Sequence, residues 1–520
     1  MSTEPAKIET VAVDENRHFR TDHLNEDLGG RTIRGGALTL TVQLLKFALS
    51  TAVTIVVARL LMPQDYGFVG MVMVLVNFLT MFQYLGLPNA TVKWRDLTHA
   101  QVSNLFWVNV GLSSAIALVV VACSPLLARF YQQPNLIGIA AGYALVVFLT
   151  GLSIQHLALL QRQMRFVLLA VIDVAALAIG LTVTIIAAWK GAGYWALVLN
   201  QILFASVTMV GAWVACSWRP RLPSRNTGVR TMISYGGNLT GYNLTTFFAQ
   251  NLDNALIGKV WGAHQLGIYS KAYQMLLTPI GQVTTPLWTV AVPTLSRLAD
   301  FPERYRAAYL KIVEKIAMLT MPAVVCGIAT SDWLVLLLLG KQWNDAARVF
   351  MFLGIAAIFQ PISRTGLWLF MTQGRSREMF TWGIMGSSIS VVSILAGLRW
   401  GATGVAAAYA VTDLCVTTPL LFWYVGRRGP VSMSDVYRTV APSVLAAAAS
   451  LVVLVVARPW IEISGSLIAR MLLATLITLV TSATVLVAMP AGRLAIQSLK
   501  ETLLLLLKAK TGFRAQTLTK

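Results

Sequence analysis

The residues of this sequence best placed to do chemistry are ionisable side chains set inside long apolar runs. Lys46, Asp173, Arg364 and Asp413 each fall in such a run. Carrying a charge into hydrocarbon costs at least about 2.5–3.5 kcal/mol on insertion scales, so a charge retained there has a task. Lys46 lies near the middle of its run, about 15 Å along the helix axis from the start, too deep for its ammonium to reach the surface easily. It reads as a base facing a polar cavity, with a structural ion pair as the alternative. Arg364 reads as a second cavity base unless the span boundary shifts past it. Arg59, at the end of the first run, is counted with them. Asp173 lies nearer one end of its run and suits a headgroup contact or an ion pair. Asp413 sits in mid-run, in Tyr409-Ala-Val-Thr-Asp413, as a partner for a cation or a proton.

A second constellation is polar rather than charged. On a helix Asn243, Thr246, Gln250 and Asn254 share one stripe, at i, i+3, i+7 and i+11, with Asn251 and Asp253 beside it. Lys271 follows, amid Tyr269, Ser270, Tyr273 and Gln274, and Asp253 is its candidate ion-pair partner. Amides and hydroxyls bond sugars, aromatic faces pack on sugar rings, and a lysine meets phosphate as a point charge. The stripe therefore suits a sugar phosphate. Interhelical hydrogen bonding is the competing use of the same residues.

The motifs of soluble catalysis are missing. Gly258-Lys259-Val and Gly340-Lys341-Gln lack the Ser or Thr and the upstream glycine of a nucleotide-binding loop. Neither HExxH nor GxSxG occurs. The 5 histidines are scattered, and the 4 cysteines stand far apart with no CxxC pair. No metal, cofactor or catalytic residue is expected, and no enzymatic activity.

The elements that must position these residues follow from composition. Of 520 residues, 56% are hydrophobic and only 12% charged, against about 25% charged in a soluble domain. This excludes a soluble enzyme, a disordered chain and a disulfide scaffold. It predicts an all-α polytopic membrane protein, each span needing about 20 apolar residues. Fourteen runs are legible, from 36–61 and 67–86 to 438–457 and 466–489, with 232–257 and the crowded stretch 312–372 the least regular. The expected organisation is a mobile cytoplasmic tail at 1–30, a six-helix lobe at 31–231, a second at 232–430, two added helices at 431–490 and a basic tail at 491–520. The net charge of +20 is a topology signal. Lys and Arg beside the short loops number about 17 after even-numbered spans and 8 after odd-numbered ones, which puts the even side and both termini in the cytoplasm. The rest of the charge attracts anionic lipid heads. No basic, aromatic-bearing soluble domain exists for nucleic acid.

An internal repeat divides the runs. Arg59-Leu-Leu-Met-Pro-Gln-Asp-Tyr-Gly67 aligns without gaps on Lys259-Val-Trp-Gly-Ala-His-Gln-Leu-Gly267. Gly191-Ala-Gly193-Tyr-Trp-Ala196 matches Ala402-Thr-Gly404-Val-Ala-Ala407 with an insertion between the pairs. Both fit a six-span unit used twice, whose halves usually enclose a midplane site.

At these residues a resemblance enters. Ala58-Arg-Leu-Leu-Met-Pro-Gln-Asp-Tyr-Gly67, Asn251-Leu-Asp-Asn-Ala-Leu-Ile-Gly258, Leu266-Gly-Ile-Tyr-Ser-Lys-Ala-Tyr273 and Gly340-Lys-Gln-Trp343 resemble the polysaccharide transporters of the MOP superfamily, most closely the Wzx-type group of exopolysaccharide and colanic-acid assembly. The resemblance implies two six-helix lobes in a V plus an extra helix pair. It implies an inner-membrane flippase that moves undecaprenyl-diphosphate oligosaccharide to the outer leaflet by alternating access. Polysaccharide polymerase and co-polymerase are the protein partners that go with such a role. A drug or cation antiporter of the same superfamily is the alternative, disfavoured by the buried Lys46. A membrane polymerase or glycosyltransferase comes third, since no outward loop exceeds roughly 20 residues.

Overall fold

In hydrocarbon a backbone can satisfy its polar groups only within helices or closed barrels, and apolar runs of this length choose helices. The computed structural model describes residues 28–83, 91–92, 97–224, 229–463, 465–495 and 497. Of the expected tails at 1–30 and 491–520, residues 1–27, 496 and 498–520 lie outside them, while 28–30 open the first helix and 491–495 are helical. Every regular element described is helical. In chain order these are α1 (Leu28–Leu60), α2 (Pro63–Gln83), α3 (His99–Tyr131), α4 (Leu136–Arg162), α5 (Phe166–Trp189) and α6 (Tyr194–Ala215). Then come α7 (Val229–Arg297), α8 (Pro302–Ala329), α9 (Ser331–Leu338), α10 (Asn344–Ala357), α11 (Gln360–Thr372) and α12 (Ser376–Gly397). The last are α13 (Gly401–Thr412), α14 (Thr418–Gly426), α15 (Met433–Glu462) and α16 (Leu467–Ala488). Among the described residues 9 segments are long and apolar enough to cross a membrane, or 10 if the bent pair α10–α11 counts as one crossing. One of the 9 runs from Ser376 to Gly426. It turns at Leu398–Trp400, where Gly404 presses on the Gly397 carbonyl. The fourteen crossings of the sequence reading rest on counting α1 and both arms of α7 as well.

The chain divides into two compact units, Met1–Gly267 and Ile268–Lys520. The repeat places its junction earlier, at 231/232; the arm of α7 up to Gly267 groups with the first unit. Within that unit α1 lies along α5. Leu49, Val53, Val57 and Leu61 form the α1 ridge; Leu177, Leu181, Ile185 and Ala188 oppose it. This is the i, i+4 spacing that brings one helix face to another. Within the second unit α8, α11, α14 and α15 share a core around Tyr305, Tyr309, Trp368, Phe370 and Phe422. The added pair α15–α16 packs there too: Ser450 Oγ and Ser482 Oγ lie 2.9 Å apart, and the Arg458 guanidinium reaches Asp332 at the start of α9.

The repeat is written into the backbone. Its first copy breaks the helix at Leu61–Met62, where the Asp65 carboxylate accepts the Met62 N–H at 2.9 Å and opens α2. The aligned position of the second copy is Gly262, whose φ of 80° breaks α7 at the matching place. The two copies then press together. A Cβ on Gly67 would lie 1.7 Å from the Ala263 carbonyl oxygen, and one on Gly267 would lie 1.8 Å from that of Pro63. Pro63 and Ala263 are themselves aligned, so the contact is reciprocal. The second repeat pair shares span order but not surroundings: Gly193 faces Asp65, and Gly404 faces Gly397.

Candidate functional site

The α1–α5 ridge continues one turn past its apolar rungs to Lys46 and Asp173. Lys46 Nζ donates to Asp173 Oδ2 at 2.7 Å. Two residues read separately from the sequence are thus one ion pair between adjacent helices. The side chains remain 33% and 41% exposed, so the pair closes the ridge at an accessible edge rather than in a sealed core. By axial rise Lys46 stands about 21 Å from the C-terminal end of α1 and Asp173 about 10 Å from the start of α5. Paired, the two charges cancel.

The other bases divide by position. Arg59 is exposed in the last turn of α1, where a cation is favoured by the helix dipole. Its repeat counterpart Lys259 serves a helix end outright. Its Nζ donates to the Phe130 carbonyl at 2.5 Å and sits 4.9 Å above the Phe130 ring, filling an orphan acceptor at the end of α3. Lys271, on the second arm of α7, is only 4% exposed, with Nζ 3.3 Å from Gln274 Oε1 and the stacked pair Tyr269–Tyr273 nearby. Its head has not snorkelled to a surface. Arg364 is exposed on α11, beyond a 41° bend that separates α10 from α11. The apolar run 345–372 is therefore bent, as a broken span or a re-entrant loop, and Arg364 belongs to its second half.

The polar stripe lies on the first arm of α7. The side chains of Asn243 and Gln250 are outside the described residues. Phe247 on that arm meets Phe78 of α2, ring centroids 5.5 Å apart. Asn251 Nδ2 donates to its own helix at the Phe247 carbonyl, 3.0 Å away. Asp253 Oδ1 accepts the Asn254 N–H at 2.7 Å, and the buried Asn254 Oδ1 has no hydrogen-bond partner among the described residues.

Asp413 opens a π turn, Asp413–Thr417, between α13 and α14. It is 7% exposed, and its Oδ2 lacks a partner among the described residues. The neighbouring Tyr409 hydroxyl lies 3.5 Å from Gln360 Nε2, which opens α11. A broken helix and a π turn thus converge in the second unit, which is where polar backbone at membrane depth is tolerated.

One polar group escaped the sequence reading. Between α2, α3 and α4, Gln83 Nε2 donates to Ser113 Oγ at 2.8 Å and to the Val147 carbonyl at 3.1 Å, all buried. Thr91 Oγ1 donates to Gln155 Oε1 at 2.9 Å. Asn109 is fully buried with neither end of its amide paired among the described residues. Small polar residues spread thinly over three apolar runs leave no periodic signal. Only the fold gathers them.

The sequence profile of the family described as polysaccharide biosynthesis protein matches residues 56–348. The lipopolysaccharide biosynthesis protein WzxC of Escherichia coli (strain K12) is 22% identical over 394 residues, 74% of this chain and 79% of that protein. The teichuronic acid biosynthesis protein TuaB of Bacillus subtilis (strain 168) is 24% identical, covering 64% of this chain and 69% of that one. The succinoglycan biosynthesis transport protein ExoT of Rhizobium meliloti (strain 1021) is 24% identical, covering 71% and 74%. Among solved structures the fold resembles the lipid II flippase MurJ in an inward closed conformation, with a TM-score of 0.66 at 12% identity over 86% of this chain and 98% of that one. It also resembles a multidrug resistance transporter of the MATE family in its inward-facing conformation, with a TM-score of 0.57 at 15% identity over 76% and 96%.

Proposed function

The chain belongs to the polysaccharide biosynthesis protein family, and from that premise we propose that it is a flippase for lipid-linked oligosaccharides in surface or exopolysaccharide assembly. The observation that carries this reading is the family match across more than half the chain, joined by relatives named for lipopolysaccharide, teichuronic acid and succinoglycan biosynthesis. The substrate is an undecaprenyl-diphosphate oligosaccharide, taken from the cytoplasmic leaflet to the periplasmic leaflet of the inner membrane by alternating access. The chain is a carrier and makes or breaks no bond. Lys46 supplies a cation at membrane depth that the diphosphate can draw away from Asp173, with Arg59, Lys271 and Arg364 as further candidate contacts. Asn243, Gln250 and Asn254 line the sugar path. Both termini lie in the cytoplasm. Polysaccharide polymerase and co-polymerase receive the product.

Deleting the gene in its native host tests the reading. Surface polysaccharide should fall to background while lipid-linked repeat units accumulate on the cytoplasmic face, and the wild-type chain should restore export. Unchanged polysaccharide with raised sensitivity to cationic drugs would overturn it in favour of a multidrug antiporter.

A further inference from the structure

In the second unit the end of α14 and the start of α12 meet at one corner. Arg375 Nη1 donates to the Val425 carbonyl at 2.9 Å, the Gly429 backbone lies against Arg375 and Gln373, and the Trp382 and Tyr424 rings stack with centroids 6.2 Å apart. Some arginines at this end of the unit are already occupied. Arg375 grips the Glu378 carboxylate, and the Arg306 guanidinium reaches Asp435. Arg377, Arg427 and Arg428 are different. They are exposed and make no ion pair among the described residues, so the corner keeps their charge.

Arg427 is fixed in place. It folds back over the last turn of α14, its guanidinium carbon 4.7 Å from the centre of the Trp423 ring and 5.1 Å from that of Tyr424. A guanidinium stacked on rings keeps its edge N–H donors for a phosphate and has less freedom to lose on binding. The carbonyls at a helix end normally repel an anion. Here Arg375 covers the Val425 carbonyl. The apolar surface beneath matches. Trp423, one turn before Arg427, is 50% exposed, and on α12 Arg377 heads a stripe with the exposed Phe380 and Ile384 at i, i+3 and i+7. Depth matches too. By axial rise α13 and α14 cover roughly 40 Å between Arg399, stacked 3.7 Å above the exposed Trp400 ring, and Arg427. A bilayer with its headgroups is about 40–45 Å thick. Arg427 therefore stands in the phosphate layer, with Phe380 and Ile384 among the acyl chains.

We propose that this corner binds the phosphodiester of an anionic phospholipid, one whose headgroup carries no amine. Arg427 and Arg428 take the phosphate oxygens, Arg377 supplies further positive charge, and the acyl chains lie along Phe380, Ile384 and Trp423. An amine-bearing headgroup would set its ammonium among these guanidinium groups, so like-charge repulsion selects against it. The bound lipid ties the start of α12 to the end of α14, the two ends of the segment that turns at Leu398–Trp400. None of these residues is among those assigned to the transported substrate.

The test is native mass spectrometry of the full-length protein, stripped of lipid and titrated with dioleoyl phosphatidylglycerol or dioleoyl phosphatidylethanolamine. Phosphatidylglycerol should form its first adduct at about tenfold lower concentration. Arg427→Gln combined with Arg428→Gln should weaken that adduct about tenfold or more and leave phosphatidylethanolamine unchanged. Arg399→Gln, at the opposite end of the segment, should change neither. In nanodiscs phosphatidylglycerol should raise the unfolding temperature of the wild-type chain above its value in phosphatidylcholine, and the double variant should lose that gain. Arg377→Gln, expected to weaken the adduct in the same direction, gives an independent reading should the double variant fail to fold. Equal affinity for the two lipids, or an undiminished adduct in the folded double variant, would overturn the proposal. Displacement of phosphatidylglycerol by an equimolar polyprenyl diphosphate would overturn it in favour of an entry site for the transported lipid. No export is measured, so the result stands or falls apart from the flippase reading.

Discussion

At the scale of single residues the Lys46–Asp173 pair makes the sharpest demand. A fully buried pair that loses one partner costs about 3–5 kcal/mol. This one is 33% and 41% exposed rather than sealed, so the cost falls below that range. Lys46→Ala should leave protein level close to normal while export drops towards background; Lys46→Arg should retain part of it, since a diphosphate needs charge more than one fixed shape. The exchange Lys46→Asp with Asp173→Lys separates two roles. A purely structural pair would recover both protein level and export. A pair whose lysine meets phosphate should recover level alone, because the cation has moved to α5. Immunoblots and polysaccharide assays of the single and double variants decide, and normal export by Lys46→Ala would leave Lys46 with no part in transport. The depth of each residue was legible in the sequence, since hydropathy reports position along the membrane normal. Their pairing was not, because hydropathy carries no azimuth, and 127 positions separate them. Lys271 shows the same limit: its burial depends on neighbours that no local pattern names.

Helices and their breaks carry the next level of instruction. The repeat motifs at Arg59–Gly67 and Lys259–Gly267 were visible as strings, and the structure gives their glycines a common cause. Each lets a neighbouring backbone carbonyl approach where any side chain would collide. Gly67→Val and Gly267→Val should each destabilise by about 1–3 kcal/mol or more, because the atom in the way is backbone and cannot rotate aside. Gly111, on an exposed face of α3 with nothing within 4 Å of a built Cβ, is the matched control. Gly111→Ala should be neutral or gain up to about 0.5–1 kcal/mol from helix propensity. Unfolding temperatures in detergent would show the contrast; equal effects at 67 and 111 would mean the crossing is not under steric constraint. Other breaks escaped the sequence reading for a physical reason. The bend before α11 and the π turn at Asp413 interrupt hydrogen bonding without changing composition, so runs such as 345–372 and 401–426 read as continuous. Proline is no guide here: Pro125, Pro322 and Pro442 all lie inside helices that continue past them.

On the scale of the whole chain, charge distribution is the property that composition alone determines and packing cannot override. The +20 net charge is borne by a protein with few charges in its apolar spans, so the bases concentrate beside loops and tails. Positive residues near short loops are retained in the cytoplasm during insertion. The bias of about 17 to 8 in favour of even-numbered loops predicts the connection after α6, with Arg219, Arg221 and Arg225, on the inner side. The structure fastens the described part of that connection to α3. Asn104 of α3 holds Ser224 by two hydrogen bonds of 2.7 and 2.9 Å, and Trp107 donates to the Arg221 carbonyl at 2.9 Å. A strap fastened to the start of α3 must lie on the same side of the membrane as that helix end. The loop after α2 and the loop after α6 are therefore tied to one face, as an even spacing of spans between them requires. Alkaline phosphatase and fluorescent-protein fusions at residue 225 and at the C-terminus should both report the cytoplasm. A fusion after α1, at residue 62, should report the opposite side. A periplasmic signal at 225 alone would break the charge-based orientation, because the strap would then put the start of α3 outside as well. A periplasmic signal at the C-terminus alone would leave the first unit intact and make the number of crossings after α6 odd, pointing to the bent pair α10–α11 as a segment that enters and leaves by one face.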